Sequence, residues 1–133
     1  MPFVTWHDRF SLGIKGIDEH HQQFVRLVNL IGAEVETAPE EIPRPLLDAL
    51  VTLSIFHFRY EERYLNEVAF PGIADHKKEH DAFVSRLQGG PQSFSQGGAE
   101  LLQFLASWID VHFNATNSRL RLFLLEEKRS RQG

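Results

Sequence analysis

The sequence predicts an all-α fold: an antiparallel up-down-up-down four-helix bundle preceded by an extended N-terminal arm. Three observations predict it. Four stretches repeat apolar residues at spacings of three and four, the signature of a helix with one buried face. Each stretch is bounded by residues that cannot continue a helix. The connections are short, which makes consecutive helices antiparallel neighbours. No strand pattern competes.

After an irregular opening of about 17 residues, the first helix is expected over 18–37. Ile17, His21, Phe24, Val28, Ile31 and Val35 form its stripe, and Asp18 is placed to cap its start. APEEIPRP ends it. A second helix over 44–68 begins at Pro43 or Pro45, where proline suits a first turn. Its stripe is Leu46, Leu50, Leu53, His57, Glu61, Tyr64, Leu65 and Val68, and Phe70-Pro71-Gly72 closes it. A third helix over 73–88 carries Ile73, His76, His80, Phe83, Val84 and Leu87 on one face. GGPQSFSQGG is the clearest loop in the chain. A single fourth helix is expected over 99–127, with Leu101, Leu105, Trp108 and His112 on a stripe widened by Ile109, Phe113, Asn117, Leu120 and Leu124.

Composition bounds the function. The 133 residues, 1–133, suit one domain with one core. A hydrophobic content of 42% with 24% charged residues is that of a globular chain. Net charge is −4 and the basic residues are scattered apart from the terminal EEKRSRQG, which argues against a nucleic-acid surface. There is no cysteine, hence neither a disulfide framework nor a thiolate metal site. The N-terminus lacks the pattern of a signal peptide, and no apolar run approaches the ~18 residues of a membrane span. The expectation is a cytoplasmic protein that touches no membrane.

The chemistry lies on the inner faces. Every predicted helix places at least one histidine on its apolar stripe, and the second adds a glutamate. His57 and Glu61 are four residues apart, as are His76 and His80, so each pair projects from one face about a turn apart. Facing helices of a bundle bring such side chains to one point. Neutral imidazole is a good ligand for iron, zinc or copper, and a carboxylate supplies charge and can bridge two cations. A single inward histidine is more often a hydrogen-bonded core residue than a ligand. Five histidines and a glutamate from four helices exceed what such a core can satisfy without a cation.

The chain resembles the hemerythrin family in its single-domain bacterial form, the bacteriohemerythrins. The resemblance runs from Trp6 through LGIKGIDEHHQQF, HFRYEE and FPGIADHKKEHDAF to FLASWIDVHF. It implies a site of two non-haem irons that binds O2 reversibly, the metals bridged by two carboxylates and a solvent-derived oxo or hydroxo group. His76, His80 and His112 match the ligands of the three-histidine iron, His21 and His57 those of the other, and Glu61 one bridging carboxylate. The two-histidine iron keeps the open position. His20, where the family more often has glutamine, points about 100° away from His21 and is expected to lie behind the site or at the surface. His7 is expected in the opening loop.

One position departs from the family. Its second bridging carboxylate is an aspartate five residues after the last histidine, and here that residue is Asn117. No nearby acid obviously substitutes: Asp110 lies on the opposite side from His112, and Glu62 is rotated about 100° from Glu61. An amide oxygen is a neutral donor that can hold one metal and cannot bridge two through both its ends. Losing the carboxylate raises the core's net charge by one unit, which is costly in a dry interior. The expectation is either an unequal pair, with one firmly held metal and one weak or exchangeable, or an intact di-iron site with altered O2 affinity or faster autoxidation. Three functions follow. The first is an O2 carrier, store or sensor, with O2 or another small diatomic as partner. The second is an enzyme reducing peroxide or nitric oxide, for which no acid or base stands out beyond the ligands. The third is a module holding one metal without O2 chemistry. A binding protein is expected over an enzyme.

Overall fold

The computed structural model describes residues 4–7 and 10–132, and among these there is no strand. Pro91, Ala115, Thr116, Arg131 and Gln132 are described by their backbone alone. The helices are α1 (Lys15–Thr37), α2 (Arg44–Glu67), α3 (Ile73–Gln88), α4 (Gly98–Ile109) and α5 (Asn117–Gln132). A π-helical turn, Asp110–Thr116, joins α4 to α5, and a short 3-10 turn, Gly90–Ser93, follows α3. α1 packs on α2 and on α4, and α2 packs on α3. No helix among the described residues is long and apolar enough to cross a membrane.

Two local expectations are corrected. α1 starts at Lys15, three residues before Asp18, so Asp18 does not cap it. Its carboxylate instead accepts hydrogen bonds from the Leu12 N–H (2.8 Å), the Gly13 N–H (3.1 Å) and the Ser11 hydroxyl (2.6 Å). These satisfy loop donors that would otherwise face the helix start unpaired, and Gly13 supplies the positive φ of 78° that the turn requires. The fourth predicted helix is not one α-helix. It is interrupted at Asp110–Thr116 and resumes at Asn117 to end at Gln132.

The opening residues are pinned to α1. The Asn29 side chain accepts the Val4 N–H (2.6 Å) and donates to the Val4 carbonyl (2.8 Å). Trp6 meets Phe10 edge to face, and both pack on the core. His7 lies in this opening segment, as expected, and its carbonyl accepts the Phe10 N–H. The glycine-rich loop is more structured than its composition suggests. Phe94 is fully buried, and Arg86 covers both Phe94 and Phe104 at 4.7 and 4.9 Å. Gly97 has φ +84°, and a Cβ there would overlap the Glu40 carbonyl.

The core falls into two apolar clusters. The larger takes in Phe24, Val28, Leu50, Phe83, Leu105 and Phe113. The smaller is Leu12, Ile17, Leu65 and Leu120. Along α1 and α3 the chain passes the smaller cluster first and the larger second; along α2 and the α4–α5 arm it passes them in reverse. In α1 and α3 the buried histidines lie between the two, and in α2 and the π turn His57 and His112 lie at the end of the larger cluster, before Leu65 and Leu120 of the smaller.

Candidate metal centre

His21 comes from α1, His57 and Glu61 from α2, His76 and His80 from α3, and His112 from the π turn; all six are buried. Glu61 is at their centre with no exposure. Its Oε2 lies 2.8 Å from His57 Nε2 and 3.5 Å from His21 Nε2. Its Oε1 contacts His76 Nε2 and lies 3.6 Å from His80 Nε2 and 4.0 Å from His112 Nε2. One carboxylate oxygen thus faces two histidines and the other faces three. The ligand atoms of Glu61, His76, His80 and His112 all fall within 4.8 Å of one another, as do those of His21, His57 and Glu61.

Aromatic rings wall the cluster. Phe58 stacks on His80 at 3.8 Å and 2°. Trp108 stacks on His112 at 4.3 Å, and Phe113 on His21 at 4.5 Å. Burial pushes His112 well below the ordinary imidazole range, His80 to about 3 against the pull of Glu61, and His57 downward too. Neutral rings carry the lone pair that coordination needs. Burial would raise Glu61, but the closeness of the His21, His57 and His76 rings, the last within hydrogen-bond reach, prevails and holds it well below the usual carboxylate range. The centre is therefore an anion with neutral rings at His57, His80 and His112 beside it.

The donor set fits a cation. Buried His21 Nε2, His57 Nε2, His80 Nε2, His112 Nε2 and Glu61 Oε2 have no hydrogen-bond partner. Each such orphan costs about 1–3 kcal/mol, and these five point into one space. A borderline-soft metal with imidazole and carboxylate ligands satisfies them together.

Asn117 is buried, and neither its amide oxygen nor its amide nitrogen has a partner. Its backbone N–H bonds the Asn114 carbonyl as well as that of His112, the latter an i→i+5 bond. That bond explains the five-residue spacing. In an α-helix residues five apart point about 140° away from each other; across a π turn they share a face. The interruption that periodicity missed brings positions 112 and 117 to one face of the turn.

Two residues lie behind the histidines. His80 Nδ1 is 2.8 Å from Glu62 Oε2, a contact the sequence did not suggest. Burial raises the Glu62 carboxyl above its ordinary value, while Lys77 opposes the rise. His20 is half-buried, as expected behind the site, with Nδ1 3.1 Å from His57 Nδ1 and its ring edge-on to Phe56 and Tyr60. Asp110 is exposed and bonds Asn114, away from the cluster.

Residues 12–121 match the family model described as the hemerythrin HHE cation binding domain. Proteins named bacteriohemerythrin align along most of the chain. The one from Stenotrophomonas maltophilia is 26% identical over 115 residues, covering 84% of this chain and 75% of its own length. That from Clostridium acetobutylicum is 29% identical over 121 residues, covering 81% and 91%. That from Ralstonia nicotianae is 24% identical over 130 residues, covering 95% and 92%.

Proposed function

Since this chain belongs to the hemerythrin family, we propose that its buried cluster holds non-haem iron and that the protein binds O2 reversibly as a carrier, store or sensor. The observation that carries the reading is Glu61, whose two oxygens face separate sets of histidines. His76, His80 and His112 with Glu61 would hold one iron, and His21 and His57 with Glu61 would hold the other. Bound ferrous iron supplies the electrons for O2 binding. The residues of this chain present neutral nitrogens, fix their planes by stacking, and keep water out with Phe58, Trp108 and Phe113. The opposite order of the two apolar clusters in successive arms supports an up-down-up-down bundle formed by one domain.

The two halves are unequal. Four donors, Glu61, His76, His80 and His112, converge on the three-histidine half. The two-histidine half has three, and the residue that would close the pair from the opposite side is the neutral Asn117. We read this half as the weaker one, more open to exchange and to a solvent or small-anion ligand.

Iron per chain, measured after anaerobic loading with ferrous ion and desalting, tests this. A value near two, with a visible band that forms on aeration and reverses on deoxygenation, is the expected result for an O2-binding pair. A value near one with no reversible band favours the single-metal module, a reading that the uncharged Asn117 specifically supports. Turnover of added peroxide or nitric oxide would favour the enzyme.

A further inference from the structure

Two of the five clustered histidines have a polar side chain directly behind them, and the two partners differ in charge. His80 has the carboxylate of Glu62; His57 has the neutral ring of His20. The outer nitrogens of His21, His76 and His112 have no partner. We propose that Glu62 is the positioning residue of the three-histidine half, holding the His80 Nδ1 proton so that Nε2 faces Glu61 as a lone pair, and so making this half the first to take up a cation. The proposal rests on the metal reading above and assigns an order of loading that the reading does not contain.

The chemistry is one of tautomers. A neutral imidazole has one N–H and one lone pair, and the partner of one nitrogen decides what the other presents. An ionised carboxylate only accepts, so Glu62 Oε2 at 2.8 Å places the proton on His80 Nδ1 and leaves Nε2 free to coordinate. The Glu62 side chain is only 19% exposed, which keeps the bond from being surrendered to water. Phe58, from the same helix, lies flat on the other side of the problem: its stacking at 3.8 Å and 2° fixes the plane of the His80 ring. Tautomer and plane are thus set by neighbours on one turn of α2. An outer carboxylate also makes the imidazole a stronger donor. It restores, behind a ligand, part of the negative charge absent at Asn117.

His20 gives His57 no such instruction. An imidazole can donate or accept, so the His20–His57 contact is compatible with either tautomer of His57. The two-histidine half is therefore also the half whose supporting partner leaves the tautomer open.

Zinc is a suitable probe, because its closed shell leaves the ring N–H proton visible by NMR. The Zn2+ affinity of the first site, by competition with a chelator, and the downfield resonance of the His80 Nδ1 proton would be compared in wild type, Glu62→Ala, Glu62→Gln and Asp81→Asn. Glu62→Ala is expected to weaken first-site binding by about 10–100-fold and to lose the resonance. Glu62→Gln, whose amide oxygen still accepts, should keep the resonance and lose less. Asp81→Asn removes a nearby charge without touching a histidine and should change neither. Wild-type affinity in Glu62→Ala, or an equal loss in Asp81→Asn, would overturn the proposal. Should Glu62→Ala fail to fold, equal affinities of Glu62→Gln and Asp81→Asn would do the same. A wild type that takes up neither zinc nor iron overturns the proposed function and this inference together, whereas binding that is indifferent to Glu62 overturns this inference alone.

Discussion

Asn117 is the residue whose chemistry departs from the surroundings that receive it. It is fully buried, its amide is unsatisfied, and it follows His112 by one wide turn. Restoring a charge there has a defined consequence. Asn117→Asp is expected to raise the second iron's affinity by at least about tenfold, roughly 1.4 kcal/mol. Iron per chain after desalting should rise toward two. An unchanged affinity would mean that the side chain at 117 does not reach the metals. The residues that converge here were legible in the sequence because each lies on the stripe of its own helix, and periodicity reports faces. Glu62 was not. Its partner, His80, belongs to another helix, and no spacing within a helix reveals the register between two. The same limit hid the stacking of Trp108 and Phe113 on particular rings, although the burial of those rings could be read.

At the scale of elements, the apolar stripes placed all four helical arms, and the breakers between them placed the connections. The errors are at two junctions. Asp18 has the chemistry of a cap and serves the preceding loop instead, since Leu12, Gly13 and Ser11 all turn donors toward it. The π turn was read as continuous helix because its flanking residues, Ile109 and Leu120, both remain apolar and buried. Only the five-residue step from His112 to Asn117 signalled that an extra residue had to be absorbed. The loop before α4 is a third junction, and it is close-packed. Gly97 combines a positive φ with contact against the Glu40 carbonyl, so a methyl group is excluded on both counts. Gly97→Ala is expected to cost about 1–3 kcal/mol, read as a lower thermal midpoint. Gly13→Ala should cost less, because a Cβ there meets open space and suffers the backbone strain alone.

The whole molecule carries a polar layer through its middle, and acid will find it. His80 is depressed from 6.5 to about 3, and burial lowers His57 and His112 as well. The folded chain therefore binds fewer protons than the unfolded one across that window. Stability is complete above about pH 6.5 and is lost as pH falls below it, by up to about 1.4 kcal/mol per unit for each such histidine. Glu61, also depressed, adds a loss in the same direction below its ordinary value of 4.5. Denaturant midpoints of the metal-free protein are expected to decline steadily from pH 7 to pH 4; a flat profile would contradict the buried neutral histidines. The two apolar clusters have a consequence of their own. They form separate clusters, and the smaller has four buried members against sixteen in the larger. Cooperativity in this fold is thus conditional. With a cation the seam is a weld, and amide protons on both sides are expected to exchange as one unit when hydrogen exchange is measured. Without it the seam is a fault line, and the end built on Leu12, Ile17, Leu65 and Leu120 is expected to exchange first.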